Sequence, residues 1–274
     1  MSSASQSDDS IAATTREAAE TAGTYLRARF LEADPVVSSK SDSSIQTNHD
    51  LAADTIIRQI IETRFPADRI FSEEDGTDTP TFSASGANTW YVDPLDGTDN
   101  FVTGIPLFTS VVGVYGPNGK ALAAAINIPF YDQTVSVDDT GNVHGIPLRQ
   151  SYLGSQVLRD ARVALIPSYH NRATLPVNEL RHVLYNSCKR LVDTWCPSLD
   201  WVLLTVGKID AVVVCSDGHA DFDIRIGRLI FESSTSAANH VVVLPRASRG
   251  FDIIVAVAHP GLIGPLTRLV SRSL

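Results

Sequence analysis

Cysteine is scarce in this chain: Cys188, Cys196 and Cys215 are the only three, with no CxxC or Cys/His spacing among them. That excludes a disulfide framework and a structural zinc site, and it points to a reducing compartment. Basic charge is also short, since 22 Lys and Arg stand against 31 Asp and Glu for a formal net charge of -9. A surface of that sign repels nucleic-acid polymers and anionic membranes. No apolar run approaches the roughly 18 residues that span a bilayer, and the first ten residues lack the basic start and apolar stretch of a secretory signal. The expectation is a soluble, cytoplasmic protein with neither nucleic-acid nor membrane partners. A small anionic ligand would need local positive charge, which divalent cations held by converging carboxylates could supply.

What is present is enough apolar residue, 43% of 274, to build a large core as one α/β domain or two packed halves. Helical spacing of Ile11, Ala18, Ala22, Leu26 and Phe30 predicts a helix over Asp8 to Phe30, and a second runs from about Asp50 to Arg64. Between them Ala33 to Thr47 reads as a loop or mobile hairpin. Strands are expected at Arg69 to Ser72, Trp90 to Val92, Leu107 to Tyr115, Ala121 to Ile128, Thr134 to Val137, Arg162 to Pro167 and Asp210 to Cys215, with others near Val241 and Ile253. Further helices are expected over Asn178 to Lys189, Ser198 to Val206, Asp223 to Ser233 and Leu262 to Val270. A composition shift at Gly145 to Gly154 divides the chain into halves, 1–150 and 151–274.

The stretch from Trp90 to Phe101 is the most informative. A strand of large apolar residues delivers Asp93 into a turn containing Pro94 and Gly97. Asp93 and Asp96 can then face one point, with the Leu95 carbonyl between them. Magnesium takes hard oxygen ligands in octahedral geometry, so these groups with Glu73 would leave positions for water and a phosphate oxygen. Gly97 permits close backbone approach, and the N–H groups of Gly97 and Thr98 suit a phosphate oxygen if a helical turn starts there. The same string is also compatible with a turn that only caps a helix. Likewise Glu73, Glu74 and Asp75 can be a solvated turn, and Asp50 a helix N-cap.

Trp90-x-x-Asp93-Pro94-Leu95-Asp96-Gly97-Thr98-x-Asn100-Phe101, preceded by Glu73-Glu74 and by Thr47-x-x-Asp50, resembles the inositol monophosphatase family of the lithium-sensitive, magnesium-dependent phosphatase superfamily. The resemblance implies an α/β (α+β) fold, a layered αβαβα sandwich of the sugar-phosphatase type, assembled as a homodimer. It implies hydrolysis of a phosphate monoester of a small polyol or sugar, a small phosphorylated metabolite, with two or three Mg2+ ions. Glu73, Asp93 and the Leu95 carbonyl would hold the first ion, and Asp93, Asp96 and Asp223 the second. Thr98, held by Asp50, would orient and help deprotonate the attacking water, and Glu74 would stabilise waters or a third ion.

The second half departs from the family pattern. Around Asp223 the expected tryptophan is Phe222 and the Gly-Gly after Glu232 is missing, with Asp221 as the nearest rival ligand. Where a small Gly-(Ser/Thr)-Ala turn is usual, this chain has Asp193-Thr194-Trp195-Cys196-Pro197. The expected substrate contacts are Gly97, Thr98, Trp195, Cys196 and Asp217, or Ser216 beside the last. Arg225 and Arg228 could bind a second anion or form a solvated face. Lys40 could close over the metals or be a surface charge, and His49 reads as a partly exposed helix-start residue. Rival substrates are histidinol phosphate, a sugar bisphosphate or a nucleoside 3'-phosphate. A rival of another class is a catalytically weakened ligand-binding or regulatory member.

Overall fold

In the computed structural model, the structure describes residues 4–30, 35–39, 45–76, 86–145, 155–216, 222–234, 240–244 and 250–273. Helix α1 (Ala4–Phe30) turns Ile11, Ala18, Ala22 and Leu26 inward, and α2 (Asn48–Arg64) does the same with Ala53, Ile57 and Ile61. Thr47 caps α2, its hydroxyl accepting from the backbone N–H groups of His49 and Asp50. Between the two helices lies the antiparallel pair β1 (Val37–Ser39) and β2 (Ile45–Thr47), so the described part of the expected loop is a hairpin.

Both helices cover one face of a six-stranded sheet. Its strands are β3 (Arg69–Ser72), β4 (Thr89–Asp96), β5 (Thr109–Tyr115), β6 (Ala121–Ile128), β7 (Gln133–Val137) and β8 (Val143–His144), in that order, with only β3 and β4 parallel. The two-residue period of a strand sorts the side chains. Val112, Val114, Ala123 and Ala125 meet α1 and α2, whereas Val111, Ala124, Ile126 and Val135 face the opposite way. That second face packs on α5 (Pro197–Thr205) and α6 (Phe222–Ser234), through Leu199, Val202, Phe222, Ile226 and Ile230.

The other side of α5 and α6 buries Trp201, Leu204, Ile224 and Phe231 on a second sheet. It is built from β9 (Arg162–Pro167), β10 (Arg190–Val192), β11 (Ala211–Ser216), β12 (Val241–Leu244) and β13 (Asp252–Val257), in the order β10-β9-β11-β13-β12. Its far face is closed by α4 (Leu175–Ser187) and α7 (Ile263–Arg272), with Leu180, Leu184, Leu266 and Val270 against Val163, Val213 and Val255. The result is five layers, αβαβα, with α5 and α6 as the layer shared by both sheets.

Three local differences from the expected elements have physical reasons. Helix α4 begins at Leu175 rather than Asn178, because Pro176 sits in its first turn, where a missing N–H costs nothing. Instead of ending at Val92 in a turn, β4 runs on through Asp96, with a register shift between the pairs Asp93/Val111 and Asp96/Thr109. Pro94, which has no N–H to give the ladder, lies in that irregularity. Only then does the short helix α3 (Thr98–Thr103) begin. The expected boundary between halves falls largely on residues outside the described ones.

The central layer sets a stability prediction. A Cβ on Gly227 of α6 would stand 2.6 Å from Cβ, Cγ and Cδ1 of the fully buried Trp201 on α5. Gly227→Ala should therefore destabilise by about 1–3 kcal/mol through overpacking. Chemical denaturation measures this, and a midpoint equal to wild type would contradict the close approach of α5 and α6.

Candidate active site

The acids gather because the strand ends that carry them lie together. In the parallel pair β3/β4, Ser72 is in register with Val92, so Glu73, which follows the end of β3, lies beside Asp93 of the continuing β4. Ser72 caps the turn Glu73–Asp75 through its side chain. Arg58 of α2 ties that turn down, with Nε 2.6 Å from Asp54 and Nη2 2.7 Å from Asp75. Glu74 accepts a hydrogen bond from the Gln46 side-chain amide on β2.

Asp93 is buried at 3% exposure, and its carboxyl is pushed well above the usual range. Burial is the largest cause, followed by the like charges of Glu73, Asp96, Asp223 and Glu74. Acids from β4, from the turn after β3 and from α6 thus act on one buried carboxyl. Asp96 is pushed up to about 6 by burial, against the pull of hydrogen bonds from Ser198 and Cys196. Those bonds all fall on Oδ2, which accepts from the Ser198 N–H at 2.8 Å, the Ser198 hydroxyl at 2.5 Å and the Cys196 thiol at 3.3 Å. The first turn of α5 therefore holds one oxygen of Asp96.

Asp50 is divided in the same manner. Its Oδ2 accepts from the Thr47 N–H at 2.8 Å and the Thr47 hydroxyl at 2.5 Å, completing a capping box, while Oδ1 lies 3.0 Å from the Thr98 hydroxyl. The N-cap is Thr47, and Asp50 is the third helical residue. The Thr98 hydroxyl is also 2.9 Å from the Leu95 carbonyl, so its one proton can serve either acceptor. Burial raises Asp50 to about 6, the Thr47 and Thr98 hydrogen bonds opposing and Glu73 adding to the shift. Gly97, which leads from Asp96 into Thr98, has φ 89°, and a Cβ there would come 2.8 Å from the Leu107 carbonyl oxygen. Only glycine fits without strain.

The remaining expected residues scatter. Cys196 is fully buried beside Asp96, and Trp195 is 47% exposed with φ 56°. Asp217, Asp221 and Lys40 lie outside the described residues. Arg225 stacks over the Tyr91 ring at 4.9 Å, and Arg228 pairs with Glu232 at 2.8 Å along the helix face. His49 is buried rather than partly exposed, with its ring 3.0 Å from the Tyr25 hydroxyl. Ser198 was not visible in the sequence as an Asp96 partner, nor was Tyr169, whose hydroxyl donates to Asp99 at 2.6 Å. For Ser198 the available signal was its place just after Pro197, at a helix start.

Among the described residues, no group of three His, Cys, Asp or Glu side chains closes to metal-ligand distances. The acids share a neighbourhood rather than a closed coordination sphere. The donor set nonetheless fits a hard divalent ion, being all oxygen and carrying charge that repels itself at Asp93.

The profile described as "Inositol monophosphatase family" matches residues 7–232. A histidinol-phosphatase of Mycobacterium tuberculosis is 35% identical over 96 residues, 35% of this chain and 35% of that protein. Nus factor SuhB of Escherichia coli K12 is 28% identical over 223 residues, 78% of each chain. Several curated relatives are matched over about half of their length or less. Among solved structures, the extragenic suppressor protein suhB of Bartonella henselae superposes with a TM-score of 0.78 at 19% identity, over 97% of this chain and 100% of that one.

Proposed function

Because the chain belongs to the inositol monophosphatase family, we propose that it hydrolyses the phosphate monoester of a small metabolite with magnesium held by Glu73, Asp93, Asp96, Asp223 and the Leu95 carbonyl. The observation that carries this reading is the buried Asp93 carboxyl, on which Glu73, Asp96, Asp223 and Glu74 act together. When bound, magnesium would supply charge to neutralise the phosphate and a water of lowered pKa.

The chain's own residues do the rest. Thr98 can accept a proton from the attacking water at Oγ1 while its own proton passes to Asp50 Oδ1, 3.0 Å away. With its pKa raised to about 6, Asp50 is a stronger base than a free carboxylate. As the water oxygen bonds to phosphorus, the ester P–O bond breaks and the departing alkoxide takes up a proton from solvent water, to which Asp50 later returns the proton it gained. The N–H groups of Gly97 and Thr98 are the candidate donors to a phosphate oxygen. Names among the relatives include histidinol-phosphatase and inositol monophosphatase, so the substrate screen includes both an amino-alcohol phosphate and a polyol phosphate.

Thr98→Val keeps the shape and removes the relay. It should lower kcat by about 10²–10⁴ while leaving the half-saturating magnesium within a factor of about two. Phosphate release across a magnesium titration reads both, and turnover within tenfold of wild type would remove Thr98 from the proton path.

A further inference from the structure

Beside the acids lies a cavity of about 400 Å³ with a different character. Ile166, Pro167 and Pro197 supply apolar wall, and Tyr169, Arg172 and Trp195 supply flat surface. The Tyr169 and Trp195 rings meet edge to face at 6.3 Å. The Arg172 guanidinium stands 4.8 Å from the first ring centroid and 5.1 Å from the second. Among the described residues Arg172 meets these two rings rather than a carboxylate, whereas Arg181, also lining the cavity, is turned to Asn178 at 2.8 Å and Asp193 at 3.9 Å. Burial holds the Asp200 carboxyl of the same cavity well above the usual range.

Two links join the cavity to the acids. Cys196, part of its lining, places its thiol 3.3 Å from Asp96, and Tyr169 donates to Asp99, the residue after Thr98. One backbone detail singles out Trp195. At φ 56° a bulky side chain is strained, yet the residue is 47% exposed, so hydrophobic burial does not account for the strain. Strain of that kind is stored at ligand clamps. A polyol presents hydroxyls on every side, and walls of Ile166, Pro167 and Pro197 would leave them without hydrogen-bond partners. A planar ring has apolar faces and suits both the wall and the stack.

We propose that the cavity lined by Trp195, Tyr169 and Arg172 receives a planar, aromatic or heteroaromatic ring in the leaving group of the phosphate ester. This deepens, and rests on, the phosphatase reading above. The ring stacks against Trp195 and Arg172, and the phosphate lies toward Asp96 and Asp93.

Two measurements test it separately from the phosphatase reading. Trp90 and Trp201 are fully buried, so exposure singles out Trp195 as the fluorescence reporter. Adenosine added to the metal-free protein in chelator should quench that emission saturably, and should not do so in Trp195→Gly. In the magnesium-loaded enzyme, kcat/KM for phenethyl phosphate should exceed that for glycerol phosphate at least about tenfold, the scale of one ring stack. Trp195→Gly should bring the ratio near one. Glycine accepts this φ, so that variant should melt no lower than wild type. Should it fail to fold, Arg172→Ala must lower the same ratio.

Quenching without hydrolysis of either ester would remove the phosphatase reading and keep the ring site. Equal kcat/KM for the two esters, with no quenching by adenosine, would overturn the ring site alone. Quenching by inorganic phosphate but not by adenosine would also overturn it, in favour of a second anion.

Discussion

Asp93→Asn should cut magnesium-dependent phosphate release by roughly a thousandfold or more, about 4 kcal/mol of transition-state stabilisation, and at the same time raise the melting temperature of the metal-free protein. The two effects share one cause. Asp93 is the carboxyl on which Glu73, Asp96, Asp223 and Glu74 all press, so its charge costs the fold what a cation would recover. Asparagine keeps the shape and drops the charge. The gain should appear as about 2–4 °C for each kcal/mol recovered in a chain of this size, measured in chelator at pH 7. Activity within tenfold of wild type would sink the metal scheme and favour a ligand-binding protein that keeps the fold. Lost activity with an unchanged or lower melting point would instead refute the repulsion read at Asp93.

Magnesium and protons should compete, which is the second large effect. Asp50 and Asp96 are both raised to about 6 in the folded protein, against an unfolded value of about 3.9. Between those values the folded state holds more protons than the unfolded one, so stability falls as pH rises. For these groups the metal-free protein should be most stable below about pH 4 and should lose stability progressively up to about pH 6. The Asp93 carboxyl is raised as well, so it contributes with the same sign. For a two-unit shift such as that of Asp50, the loss is on the order of 2–3 kcal/mol. Saturating magnesium should reverse it, by about 2.7 kcal/mol at a hundred times Kd, and should release protons on binding. Thermal melts at pH 4, 6 and 8 with chelator or magnesium, with calorimetry in buffers of different ionisation enthalpy, would measure both. A melting temperature indifferent to magnesium at pH 8 would leave the acids without a cation to hold.

How much of this could be read from the sequence depended on how far apart the interacting residues lie along the chain. Strand and acids fall within Trp90 to Phe101, so local propensity and a resemblance identified them together, whereas the turn expected at Asp93 is an irregular continuation of β4 through Asp96. The layers came from the resemblance alone, and the structure gives their physical reason: β5 and β6 carry apolar side chains on both faces, which are covered on both sides. Ser198 is different, since it meets Asp96 from 102 positions away and a serine after a proline only marks a helix start. Tyr169 meets Asp99 across 70 positions and gives no local sign at all. Arg225 was ambiguous because its partner, the Tyr91 face, belongs to another layer. For Asp50 the sequence allows either a helix cap or a site residue, and in the structure one oxygen serves each.

That sharing at Asp50 ties secondary structure to turnover. The carboxylate that seals the opening turn of α2 is the one that steers the Thr98 hydroxyl, so fraying of that helix end would swing the base out of reach before the sheets loosened. Near the thermal limit, catalysis should fade at a lower temperature than the global transition, with the first amides of α2 exchanging early.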